Sequence, residues 1–433
     1  MAVAGNGKAL VVVDGCRTPF LKSGTGFRDQ TAYDLARIAI AALVARTGIE
    51  PHLVGRVALG TVIANLQTSN VAREAMLGAG LPPTIPATTL TQACISANAA
   101  IADGAQWILA GKAKAVIAGG TESMSDIPIR YRKRFRHKLI EAQKYRGPGD
   151  WLKFFRGLRW SDFLPEIPTI SEFSTGRTMG QDCDRLAARM GVSRAAQDQY
   201  ALDSHHRAAR AASDGILAQE IEPVRLPPKF TQIDGDNGIR GDSSPEKLAR
   251  LKPAFVKPYG TVTAGNASFL TDGAAAVLLM DEETALKEGY PRKARWLCDL
   301  FTGQDPGEEL LLGPAYAIGK ILTQTGLTLE QMDVIELHEA FAGQVLANLA
   351  CLASTTWCRT HLGLESAVGE IPGEKLNAHG GSLSLGHPIG ATGARLLTTA
   401  ANRLAREKGR YALIAACAAG AMGHAIILEN PDY

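Results

Sequence analysis

The chain has 433 residues, 46% hydrophobic and 21% charged, which excludes disordered and fibrous classes and suits a globular protein of two or three domains. A net charge of +3 and the lack of any recognisable binding fingerprint exclude a nucleic-acid partner. Seven scattered cysteines with no CxxC pair argue for free thiols over a disulfide framework. No apolar run reaches the roughly 18 residues of a membrane-spanning helix. The opening stretch MAVAGNGKALVVVDG has neither a charged n-region nor an apolar h-region, so a cytoplasmic chain, at most peripheral to a membrane, is expected.

In chain order, Ala9 to Asp14 reads as a buried strand and Tyr33 to Thr47 as a helix with Gly48 as its C-terminal cap, the start of an α/β fold. Cys94 opens an Ala-rich helix, Ala97 to Ala110, which leads through Gly111 to a strand at Ala115 to Ala118 and the turn Gly119-Gly120. From about Asp126 to Lys252 the pattern loosens into Pro, Gly and charged stretches, with short helices at Arg185 to Met190 and Arg194 to Ser213. A strand follows at Ala274 to Met280. Far downstream the first pairing recurs: His387 opens the helix Ala391 to Glu407, followed by the strand Tyr411 to Ala416 and the turn Ala418 to Gly423. The two halves read as copies of one unit, each bringing one reactive side chain to a helix N-terminus.

Cys94 in TQACISANAA precedes a helix whose free N–H groups favour negative charge, so its thiol pKa is expected below the reference of about 8.5. By itself a cysteine at such a turn is more often inert packing. His387 lies in the glycine-dense loop GGSLSLGHPIGATG, which lacks the Lys-Ser/Thr ending of a P-loop and does not fit the dinucleotide fingerprint. His338 in ELHEAFAGQ and Cys417 in ACAAGAMGHA each stand where a predicted strand gives way to a loop or helix. Cys351, Cys358 and His361 are the nearest approach to a metal cluster, but they lie in or beside a predicted helix without a second ligand pair, and no metal is expected.

RTPF (Arg17 to Phe20), QACISAN (Gln92 to Asn98), HEAFA, GGSLSLGHPIGATG and CAAGAMG, in this order and over nearly the whole chain, resemble the thiolase family. HEAFA in place of the commoner NEAFA, with EFSTGRTMGQD and LKPAFVKPYGTVTAGNASFLTDGA, is similar to the branch formed by β-subunits of trifunctional β-oxidation complexes. The resemblance implies an α/β thiolase fold of two similar halves in a layered αβαβα arrangement. The halves would be residues 1–126 with 251–283, and 284–433, with 127–250 as an inserted loop domain.

It further implies that Cys94 is the acylated nucleophile, His387 the base that activates it and Cys417 the second acid/base. His338 and His387 would bind the enolate oxygen, His338 through a water, while the backbone N–H groups of Cys94 and Ala419 form the other oxyanion hole. Met179, Arg240, Ser268 and Phe341 match positions lining a coenzyme A groove; Phe269 stands where many relatives have glycine. The implied activity is that of a 3-ketoacyl-CoA thiolase of fatty-acid β-oxidation, with coenzyme A as substrate and no permanently bound cofactor. Its partners would be a second copy or more of itself and an α-subunit carrying hydratase and dehydrogenase activities. Rival readings are an acetoacetyl-CoA thiolase, a silent lipid-carrier or scaffold subunit, and a Cys-His hydrolase with no need of Cys417.

Between Ile127 and Trp160 stand eleven Lys/Arg against two acids, a local +9. Trp151, Phe154, Phe155 and Leu158 recur there at helical spacing among Lys153, Arg156 and Arg159. Such a segment suits an anionic membrane surface; a loop packed on a partner subunit is the alternative.

Overall fold

The structure, a computed structural model, describes residues 8–166 and 171–433. Residues 1–7 of the N-terminal stretch and residues 167–170 of the expected inserted domain lie outside these.

Nine strands carry the fold: β1 (Leu10–Arg17), β2 (Val54–Gly60), β3 (Ala87–Leu90), β4 (Ala115–Glu122), β5 (Thr271–Asp281), β6 (Ala294–Gly303), β7 (Met332–Leu337), β8 (Tyr411–Ala418) and β9 (Met422–Glu429). They join in the order β7-β8-β9-β6-β1-β5-β4-β2-β3, and the two-residue strand Leu21–Lys22 pairs with β5. β1 and β6 meet only through Val11–Arg295 and Val12–Ala294, a narrow seam between two sheets of like design. On one side β1, β5 and β4 run antiparallel and β4, β2 and β3 parallel; on the other β6, β9 and β8 run antiparallel and β8 and β7 parallel. The repeat inferred from the two helix–strand pairings therefore extends to strand order and direction.

The helices explain the layering. α1 (Ala32–Thr47) starts on a Thr31–Asp34 capping box and ends on Gly48 in the left-handed region at φ 59°, as the sequence predicts. With α2 (Val71–Gly78) it covers the outer face of the first sheet. α3 (Ser96–Leu109) and α10 (Thr392–Glu407) lie between the sheets and share one apolar core with strands of both. Their Ala- and Gly-rich surfaces suit burial on most faces. α8 (Gly313–Thr325) and α9 (Ala342–Ala353) close the outer face of the second sheet. The five layers are helices, sheet, central helices, sheet, helices.

The halves differ in one connection. β8 passes to β9 through three residues, 419–421, whereas the equivalent strands β4 and β5 are separated by residues 123–270. That segment holds α4 (Lys133–Ala142), α5 (Pro148–Phe155), α6 (Met179–Arg189) and α7 (Arg194–Ser213). α7 has the predicted bounds. α6 starts six residues before its prediction, on a Thr178–Gln181 capping box.

Candidate active site

Cys94 sits in the turn between β3 and α3. Ala93 before it holds φ 46°, a left-handed conformation rare for a residue with a side chain, and so a strained elbow presents the sulfur. His387 enters from the other half. Its backbone N–H donates to Thr271 Oγ1 at the start of β5, 3.0 Å away. His338 follows β7 and Cys417 lies near the C-terminal end of β8, so two adjacent parallel strands deliver both to one edge.

Glycine makes the meeting possible. A Cβ on Gly120 would strike the Gly390 carbonyl, and one on Gly393 would strike the Asn98 side chain, so the His387 loop presses directly on the elements carrying Cys94. The buried Glu122 carboxylate clamps the same seam by accepting from the N–H groups of Val62 (3.1 Å), Ile63 (3.0 Å) and Gly390 (2.9 Å).

The reactive atoms of Cys94, His338 and His387 all lie within 4.8 Å of one another. The two imidazole centroids are 4.2 Å apart. Nε2 of each ring is buried with no hydrogen-bond partner among the described residues, while each Nδ1 is engaged behind it. For His387 the engagement fixes the tautomer. Thr392 Oγ1 donates to the Pro388 carbonyl at 3.2 Å and so accepts from His387 Nδ1–H at 2.6 Å, which leaves a lone pair on Nε2. The Ala419 and Cys94 backbone amides bond toward the Cys94 sulfur.

One expectation is corrected. The Cys94 thiol is not depressed; burial pushes it up to about 11, outweighing the Ala419 and Cys94 amides. The helix-terminus expectation was local, whereas enclosure between two halves is a tertiary effect, and among the described residues no cation balances it. Burial likewise raises Cys417, with the charge of Cys94 adding to it, and lowers His387 to about 3, with Arg395 adding to that. The resting site therefore holds neutral thiols beside neutral imidazoles.

The buried histidines also make stability depend on pH. Their folded pKa lies below the unfolded value of about 6.5, so the unfolded chain binds more protons below that value, and stability is lost as pH falls through 6.5 toward the folded pKa. Denaturant melts at pH 5.5 should show a loss of about 1.4 kcal/mol for each of His338 and His387 relative to pH 7.5. Unchanged stability over that interval would mean that these rings do not stay neutral in the fold.

Comparison with known proteins bears on what this constellation is. The family model "Thiolase, N-terminal domain" matches residues 10–283 and "Thiolase, C-terminal domain" matches 292–430. The chain belongs to the thiolase family. It is 50% identical to the human mitochondrial trifunctional enzyme subunit beta over 98% of this chain and 89% of that one. It is 42% identical to a 3-ketoacyl-CoA thiolase of Yersinia pestis, over 99% and 98% respectively. The crystal structure of human mitochondrial 3-ketoacyl-CoA thiolase in complex with CoA superposes with a TM-score of 0.82 at 30% identity, covering 98% of both chains.

In this thiolase the expected groove residues fall in two places. Phe341 bridges to Ala267, Ser268 N–H donates to the Ala340 carbonyl at 3.0 Å, and Met179 packs into the same apolar cluster as Phe341 and Cys417. Arg240 lies in the segment between β4 and β5, where its backbone N–H donates to His205 Nδ1 at 3.1 Å. It is exposed, and its charge lies close enough to Lys22 to depress that ammonium, after the larger effect of burial. The sequence reading missed Lys22, whose ammonium lies over the Phe269 ring at 5.1 Å. It missed Thr392 and Glu122 as well, although Thr392 stands in the quoted GATG motif. Glu172 was also missed: its carboxylate accepts the Gly420 N–H at 2.6 Å and braces the turn that carries Ala419.

Proposed function

We propose that this thiolase cleaves 3-ketoacyl-CoA with coenzyme A, releasing acetyl-CoA and an acyl-CoA two carbons shorter, as a step of fatty-acid β-oxidation. The grouping of Cys94, His387 and His338 within 4.8 Å, with Cys417 adjoining, is the observation that carries this reading.

Cys94 gives its proton to His387 Nε2 as the sulfur attacks the ketone carbon. The oxyanion is held by the Cys94 and Ala419 N–H groups, and one such donor is typically worth about 10² to 10³ in rate. The bond between the second and third carbons then breaks, and its electron pair passes to the enolate of acetyl-CoA, whose oxygen is held at His387 and at His338. The hold at His338 is direct donation from Nε2, unpartnered among the described residues, in place of the water-mediated contact that the family resemblance implies. Cys417 protonates the carbon. Its thiolate takes the proton of incoming CoA, CoA sulfur attacks the Cys94 thioester, and Cys94 leaves, recovering its proton from His387. Met179, Ser268 and Phe341 would line the pantetheine path, with Arg240 and Lys22 at its anionic end. Thiolysis across a 3-ketoacyl chain-length series tests the reading. Activity confined to acetoacetyl-CoA would favour the acetoacetyl-CoA thiolase, and acid release without CoA would favour a hydrolase.

We also infer that the basic segment faces an anionic membrane in a cytoplasmic, oligomeric complex with an α-subunit. α4 and α5 pack around Phe135, Phe154 and Tyr145, while Leu152 (80% exposed) and Trp160 (91%) face outward, and Arg132, Lys133 and Arg134 are exposed in the same segment. Basic residues near such a surface contribute about 1 kcal/mol each. Reversing Arg132, Lys133 and Arg134 to Glu should abolish salt-sensitive co-sedimentation with anionic vesicles and spare thiolysis of a short substrate. Loss of subunit assembly instead, with no vesicle binding by the parent protein, would make the segment a protein interface.

A further inference from the structure

His338 and His387 are neighbouring neutral imidazoles with both Nε2 atoms turned to the reacting centre, yet the proposed chemistry asks opposite things of them. One must accept a proton and the other must donate a hydrogen bond to an enolate oxygen. Thr392 settles His387 as the acceptor. The partner of His338 Nδ1 is Ser382 Oγ, 2.9 Å away and fully buried.

Ser382 Oγ has a second neighbour, Arg395 Nη2, at 3.3 Å. A guanidinium only donates, so Ser382 accepts there; among the described residues His338 Nδ1 is the one remaining side-chain partner of Ser382 Oγ, and the hydroxyl proton goes to that nitrogen's lone pair. Arg395 is held in place by the fully buried Glu336, 3.4 Å from its Nη1, and Glu336 is shared with Arg403 at 2.9 Å. A neutral ring that accepts at Nδ1 carries its hydrogen on Nε2.

We propose that Ser382, oriented by Arg395, is a positioning residue that locks His338 in the Nε2–H tautomer and so makes it a hydrogen-bond donor to the enolate. The inference rests on the role assigned to His338 above. In the opposite tautomer the ring would turn a lone pair toward developing negative charge, and an imidazole locked in the wrong tautomer is known to cripple an active site. The chain thus sets two adjacent histidines with hydroxyls of opposite polarity, Thr392 accepting and Ser382 donating.

The test compares Ser382→Ala and Ser382→Thr in the full-length protein, with thermal melts to verify folding. Ser382→Ala should lower kcat for thiolysis by about 10- to 100-fold, a fraction of what a lost oxyanion donor costs, with KM nearly unchanged. Ser382→Thr, which keeps the hydroxyl, should recover most of the rate. In 15N-histidine-labelled protein, the His338 signals, identified by their loss in His338→Asn, should show a protonated Nε2 in the parent and a mixed or reversed pattern in Ser382→Ala. In a His338→Asn background, Ser382→Ala should have little further effect on kcat, because an amide has no tautomer to set.

A parent spectrum with the proton on Nδ1, or a Ser382→Ala enzyme within twofold of the parent, overturns the lock. If His338→Ala itself leaves thiolysis intact, the underlying role of His338 fails instead, and the two failures are thereby told apart.

Discussion

Replacing Cys94 by serine should lower thiolysis by about four orders of magnitude or more, the scale seen when a covalent nucleophile is removed from its catalytic unit. The reason lies in the neutral resting pair. With the thiol raised to about 11 and His387 lowered to about 3, the proton must move as the sulfur attacks, and a hydroxyl is far harder to ionise than a thiol at that moment. It is also the poorer leaving group in the return step. Mass spectrometry of the parent mixed with 3-ketoacyl-CoA should find a thioester on Cys94 and none in the variant. An acyl adduct on Cys16, Cys183 or Cys417 would overturn the assignment.

Cys417→Ala should separate the half-reactions. The variant should still accept an acyl group on Cys94 from an activated acyl-CoA, because the sulfur, His387 and the Ala419 amide are untouched. It should lose carbon–carbon cleavage by about 10² to 10⁴-fold, the usual worth of a positioned proton donor. It should also fail to exchange the α-protons of acetyl-CoA with solvent. Normal α-proton exchange would remove Cys417 from the chemistry, and loss of acylation would mean that its side chain supports Cys94.

Much of this is legible in the sequence because the relevant signals are local. The Gly48 cap, the bounds of α7 and the His387 loop are set within a few residues by capping and glycine placement. What was not legible depends on contacts across the chain. Ser382 lies 44 residues from His338, Glu122 clamps Gly390 from 268 residues away, and Glu172 braces Gly420 across 248. The same distinction explains the Cys94 pKa: a helix terminus can be read from sequence, and enclosure by a second half of the molecule cannot. α4 was obscured because its cation-rich run lacks a clear apolar period, and its Phe135 packs against Tyr131, Phe154 of α5 and Phe163 of the Trp160–Phe163 turn.

The unequal connections between equivalent strands carry a consequence for how the chain is made. β8 finds β9 across three residues, a hairpin that closes as soon as it leaves the ribosome, whereas β4 waits for β5 until residues 123–270 have been synthesised. At about 5 to 20 residues per second that wait is roughly 7 to 30 s. For that time β1 and β4 have no β5 between them, and their hydrogen-bonding edges are open to other chains. The amino-terminal half is thus the vulnerable one during biogenesis, the place where a nascent-chain chaperone has most to shield, and where slowed translation would cost yield before it cost activity.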